Sequence, residues 1–145
     1  MDAVDEEIIR CVLRNARSTY AEIGEAAGLS APAAKRRLDR LVATGAIRGF
    51  TALIDPQTLG WRTEAFVEVY CKGNPSPAEL RRNLDGIPEV VEACTVSGAA
   101  DAMLHVLASD IAHLEQAIQR VREVPVIDRT ESVIVLSRLI NRPRL

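Results

Sequence analysis

Residues 28–49 read GLSAPAAKRRLDRLVATGAIRG, and four basic side chains, Lys35, Arg36, Arg37 and Arg40, fall within six of those positions. On a 3.6-residue wheel Ala34, Leu38 and Leu41 make one apolar stripe, so the spacing predicts a helix that packs through it. Pro32, Arg36, Asp39 and Arg40 then point away, with Lys35 and Arg37 on the flanks. Ser30 stands where an N-cap is needed, Pro32 sits in the first turn where a missing amide does no harm, and Gly45 ends the helix. Asp39 follows Lys35 by four residues and Arg36 by three, spacings that pair opposite charges along a helix. A charge run taken alone is most often a solvated face, so its meaning depends on its surroundings.

Upstream, Val4, Ile8, Ile9, Val12 and Leu13 recur at helical spacing and predict a helix over residues 2–16, with Asp2, Asp5, Glu6 and Glu7 near the positive end of its dipole. Thr19 and Glu22 form a capping-box pattern ahead of a second helix, which runs to Ala27 and is stopped by Gly28. A short helix, a turn and a helix with a basic outer side make a helix-turn-helix, whose second helix enters the major groove of DNA. Lysine and arginine neutralise phosphates, and an arginine fork pairs with guanine edges. Arg36 is the candidate for base contact, Arg37 and Arg40 for the phosphate backbone, with Lys35 beside them. Ser30, Ala31, Pro32 and Ala33 leave the approach to the bases free of bulk. The stretch AIRGFTALID, residues 46–55, alternates like a strand and predicts a small hairpin centred near Arg48 and Gly49. That hairpin would act as a wing, with Arg48 on adjacent phosphates, and residues 1–49 are the expected DNA-binding domain.

Residues 50–61, including the turn-rich DPQTLG, read as a hinge. Beyond them the pattern predicts a strand over 62–71, a helix over 76–85, strands over 89–96 and 102–108, a helix over 110–122 and a strand over 129–139. Leu80, Leu84 and Ile87 recur as Leu114, Ile118 and Val121, each series ending just before a proline, Pro88 or Pro125. Two βαβ halves of this kind make a ferredoxin-like sheet with both helices on one face, an α+β architecture. No spare helix remains for the other face, so dimerisation through it is expected.

Composition narrows the partners. The 145 residues are 48% hydrophobic with a net charge of −2, enough apolar content for a core and too little positive charge to coat nucleic acid everywhere. DNA binding must come from a local patch. MDAVDEEIIR carries four acids where a signal peptide needs a basic region, and no apolar stretch approaches the roughly 20 residues of a membrane helix. The expected location is the cytoplasm, with no membrane partner. Cys11, Cys71 and Cys94 lack CxxC pairing and read as free thiols. His105 reads as a sheet-face residue, His113 as an exposed helix residue, and Trp61 as packing at the domain junction. With no phosphate loop, GxSxG or paired carboxylates, no enzyme, metal or cofactor is expected.

Three stretches in this order and spacing, DAVDEEIIRCVLRNARSTYAEIGEAAGLS (2–30), KRRLDRLVATGAIRGF (35–50) and IDPQTLG (54–60), strongly resemble the Lrp/AsnC family of feast/famine transcription factors. The resemblance continues through the βαββαβ half. It implies a winged helix-turn-helix joined by a strand-bearing hinge to a regulatory domain, here residues 62–145. Such domains dimerise through their sheets and often assemble further, to tetramers or octamers. It also implies an amino-acid effector bound between regulatory domains, near VSGAAD (96–101) and RTES (129–132). The effector residues are then Gly98, Ala99, Ala100, Asp101, Thr130 and Ser132. An aspartate holds an ammonium group, and a glycine lets backbone amides approach a carboxylate. Thr130 and Ser132 share a strand face and offer hydroxyls. Equally, Gly98 and Asp101 suit a plain turn, and the two hydroxyls suit solvent. Alanines 99, 100 and 102 replace the aromatics typical of the family, so the effector is larger than usual or its binding has been lost. The leading reading is a sequence-specific transcription regulator. The alternatives are an effector-independent architectural DNA-binding protein, a small-molecule-sensing oligomerisation module, and a small-oxygenase type of enzyme for which no catalytic acid, base or metal site is placed.

Overall fold

Asp2 opens the chain's first helix in the computed structural model, which describes residues 1–140. Its carboxylate accepts from the Asp5 amide at 2.9 Å and Asp5 returns the bond at 3.2 Å, a capping box ahead of α1, Ala3–Arg14. Thr19 and Glu22 cap α2, Tyr20–Ala27, in the same way, and Gly28 closes it with φ 68°. The third helix, α3, spans Ala31–Ala43. Ser30 occupies its N-cap position, but the hydroxyl makes no capping hydrogen bond, so the helix starts on backbone geometry and Pro32 alone. Ile8, Val12, Ile23, Ala34, Leu38 and Leu41 form the core of this first unit, Met1–Leu53.

The expected wing is absent. Residues 48–55 carry no strand, and Phe50, Leu53 and Ile54 are exposed. Alternation alone makes no strand: a backbone ladder needs a partner, and a lone two-stranded ribbon is marginal in water. Asp55 instead caps a short 3₁₀ turn, Pro56–Leu59.

The second unit, Ile54–Leu139, follows the expected order: β1 (Thr63–Cys71), α4 (Pro77–Leu84), β2 (Val90–Thr95), β3 (Ala102–Ala108), α5 (Ile111–Arg122) and β4 (Ile127–Ile134). The sheet runs β2-β3-β1-β4 with every neighbour antiparallel, so each βαβ half has a strand of the other half inserted in it. The last strand begins two residues earlier and ends five residues earlier than the 129–139 expected, because its ladder with β1 runs out at Ala65 opposite Ile134, near the start of β1. Ala65, Val67 and Val69 alternate inward with Leu104 and Val106, beneath Leu80 and Leu84 of α4 and Leu114, Ala117 and Val121 of α5. The opposite face, with Phe66, Tyr70, Met103, His105 and Val133, is covered by neither helix, and Val133 is 65% exposed.

Candidate nucleic-acid interface and effector region

The apolar stripe of α3 is buried as its spacing requires, which fixes the opposite side of the helix outward. Lys35 donates to Asp39 at 2.6 Å, and its ammonium lies 5.8 Å from the Tyr20 ring centroid. This pairing explains the acid in the basic run, and the Asp39 hydrogen bond raises the Lys35 pKa. Arg37 and Arg40, the expected phosphate contacts, are each held by acids near the start of the first helix. Nη1 of Arg37 lies 2.7 Å from Asp2 Oδ2 and 2.9 Å from Asp5 Oδ1, and Nη2 of Arg40 donates to both Asp5 oxygens at 2.9 and 2.8 Å. Asp5 is 1% exposed. The Arg37 hydrogen bond holds the Asp2 carboxyl down at about 2 and, against the cost of burial, lowers Asp5 as well.

Among the described residues Arg36 makes no ion pair, and it is exposed. Ser30 and Pro32 are exposed and Ala31 half-buried, so small side chains do flank the outer start of α3. Arg48 is exposed on chain that belongs to no regular element. A concavity of about 280 Å³ opens on α3, lined by Ala33, Arg36, Arg37 and Arg40. Sequence reasoning missed the tie to α1. Asp2 and Asp5 were legible only as dipole partners, and a separation of 32 to 35 residues carries no local signal.

In the second unit Gly98, at φ 134°, leads into a turn closed by the Val96 amide donating to Asp101 O at 3.2 Å and pinned to β1 at Asp101. The Asp101 amide donates to Val69 O at 2.9 Å, and its carboxylate Oδ2 accepts from the Cys71 amide at 2.7 Å. Ala99 is exposed and Ala100 buried. Thr130 and Ser132 share the helix-side face of β4, opposite Val69 and Val67, and Thr130 Oγ1 accepts from Arg122 Nε at 2.9 Å. Val69 has Ala102 on one flank and Thr130 on the other, so the two halves of the expected effector site bracket β1 and do not touch. Arg122, absent from the sequence reading, belongs beside them. A groove along α5 is lined by Ile118, Gln119, Arg122, Ser132 and Ile134.

His105 lies on the open sheet face, stacked on Phe66 at 5.0 Å between centroids. His113 is not the exposed residue expected: its Nε2 lies 2.7 Å from Oε1 of Glu89, which is 4% exposed, and Arg120 joins the same oxygen. Trp61 packs on His113 with centroids 6.1 Å apart. Among the described residues no three of His, Cys, Asp or Glu converge as a metal set, and no helix is long and apolar enough to cross a membrane.

Comparison with known proteins covers both units. Residues 1–42 match the AsnC-type helix-turn-helix domain, and residues 64–145 match the Lrp/AsnC ligand binding domain. An HTH-type transcriptional regulator of Mycobacterium tuberculosis is 50% identical over 142 residues, 98% of this chain and 96% of the relative. The solved structure of E. coli AsnC superposes with a TM-score of 0.90 at 26% identity, covering 98% of this chain and 96% of that one. A feast or famine regulatory protein from M. tuberculosis, complexed with L-methionine, gives a TM-score of 0.91 at 29% identity and covers 99% of this chain and 97% of that one.

Proposed function

Because the chain belongs to the Lrp/AsnC family of transcriptional regulators, with a helix-turn-helix DNA-binding domain and a ligand-binding domain, we propose that Arg36 is its principal base-reading side chain. The observation that carries this is the pairing pattern on α3: Lys35, Arg37 and Arg40 each hold an acid, and Arg36 alone of the four holds none among the described residues. An unpaired guanidinium loses no intramolecular partner when it forks onto a guanine edge. Arg37 and Arg40 line the same concavity as Arg36 and Lys35 precedes them on the helix, Ser30, Ala31 and Pro32 admit the DNA, and Arg48 reaches flanking phosphates. Residues 1–49 serve DNA binding, 50–61 act as the hinge, and 62–145 carry effector binding and oligomerisation.

The regulator works in the cytoplasm, without enzymatic activity, as a homodimer or a larger assembly whose uncovered sheet face meets a second copy. Its effector is an amino acid, as the L-methionine complex of the relative suggests. Asp101, whose second oxygen accepts no hydrogen bond among the described residues, takes the ammonium group at Gly98–Asp101, and Thr130 and Ser132 contribute hydroxyls. Alanine at 99 and 100 leaves room for a larger effector.

Gel-shift titration with the DNA upstream of the chain's own gene tests the first part. Arg36→Ala is expected to weaken specific binding by about 1–3 kcal/mol and to relax one base position. Equal wild-type affinity for that DNA and for a random duplex at moderate salt sinks the proposal. Calorimetry with a panel of amino acids tests the second part, and absence of heat across the panel refutes it.

A further inference from the structure

We propose that Asp2, the N-cap of α1, and Asp5 within α1 are positioning residues for DNA binding, holding Arg37 and Arg40 so that their unused edges grip one backbone phosphate beside Arg36. The inference rests on α3 being the DNA-binding helix. It adds a role for acids outside that helix.

The geometry is specific. The hydrogen bonds among the described residues engage only Nη1 of Arg37 and Nη2 of Arg40. Each guanidinium has five N–H donors in a fixed plane, so anchoring one corner fixes the direction of the others. The Nη2 and Nε edges of Arg37 and the Nη1 and Nε edges of Arg40 accordingly remain for another anion. The concavity bounded by Ala33, Arg36, Arg37 and Arg40 is where such an anion fits, with an alanine as its floor. Asp5 is buried, its side chain being 2% exposed, so it orients the arginines from behind without itself touching the phosphate, while its charge offsets part of theirs. Asp2 is 53% exposed and steadies Arg37 from the outer side. A long arginine side chain held in place loses less rotamer freedom when it binds.

Two effects of the acids on DNA binding have opposite sign. As positioning groups they strengthen it; as mere neutralisers of positive charge they weaken it. Asp2→Asn separates these, because asparagine caps a helix as well as aspartate does and the fold is retained. Affinity of the full chain for a 40-base-pair duplex is measured over about 50 to 200 mM salt, for Asp2→Asn, Asp5→Asn and Asp5→Glu. The expected result is a several-fold loss for Asp2→Asn and a loss of tenfold or more for Asp5→Asn, with a shallower salt dependence in both. Asp5→Glu recovers part of the affinity. Asp2→Asn is also expected to have no effect once Arg37→Gln is present. Tighter binding with a steeper salt slope, or no change in Asp2→Asn, overturns the proposal even if Asp5→Asn does not fold. Failure of the underlying reading looks different: Arg36→Ala binds the duplex upstream of the gene as wild type does.

Discussion

Gly24→Ala probes the turn that sets α2 against α3. Gly24 is buried near the end of α2, and its carbonyl accepts from the Leu29 amide at 2.8 Å. A Cβ at this position lies 2.5 Å from Leu29 O, 3.3 Å from the Ser30 carbonyl carbon and 3.4 Å from the Ala31 nitrogen. All three are backbone atoms of the turn and the first residue of α3, so no side-chain rotation relieves the contact. Bringing the 2.5 Å contact out to 3.4 Å requires the turn to retreat by about 0.9 Å. Overpacking of this kind costs about 1–3 kcal/mol, and the helix preference of alanine over glycine returns about 1 kcal/mol. The net loss is about 0–2 kcal/mol, at its upper end a fall in melting temperature of roughly 8–16 °C for a unit this small. Circular dichroism melts of the full chain measure it, with Gly28→Ala for comparison. At Gly28 a Cβ meets nothing within 4 Å, and the cost comes from φ 68° alone. Gly24→Ala, which displaces the start of α3, is expected to weaken DNA binding more than Gly28→Ala at a temperature where both are folded. A Gly24→Ala protein that melts above wild type refutes the close approach.

Two further predictions concern the first unit. The Asp2 carboxyl is expected to titrate at about 2 by carbon NMR, and Arg37→Gln should return it towards 3.8. Because the folded value is the lower one, the stabilisation is complete above the unfolded value and is lost as pH falls from about 4 through about 2. An unmoved Asp2 in Arg37→Gln contradicts the ion pair. The helix caps should separate as well: Thr19→Ala costs about 1 kcal/mol in urea denaturation, whereas Ser30→Ala, whose hydroxyl caps nothing, changes stability little. Equal losses at the two positions contradict the assignment.

Much of the fold was legible because its signals are local. The capping pair at Thr19 and Glu22, the stop at Gly28 and the stripe Ala34, Leu38, Leu41 each act within a few residues, and all appear where they were expected. The repeat of Leu80, Leu84 and Ile87 in Leu114, Ile118 and Val121 marked two helices on one sheet face; five of the six lie in the core, and Ile118 packs against it half-buried. The wing failed for the complementary reason. Residues 46–55 alternate convincingly, but alternation reports which side of a strand is apolar and does not supply a partner. His113 was misjudged because its exposure depends on Glu89, 24 residues away, and no helical wheel contains Glu89.

At the candidate site the division is sharper. Sequence by itself determined which residues leave the core on α3, because a 3.6-residue period and an apolar stripe fix the outward side whatever lies around it. It also determined Asp39 as the partner of a basic neighbour, since residues four apart on a helix meet. Only the tertiary structure decided how the arginines differ. Arg36, Arg37 and Arg40 are equivalent as letters, yet two of them are drawn onto Asp5 by the packing of α1 against α3 and one is left unpaired. Charge attraction acts through space, and the chain brings these groups together only after both helices have buried their apolar faces.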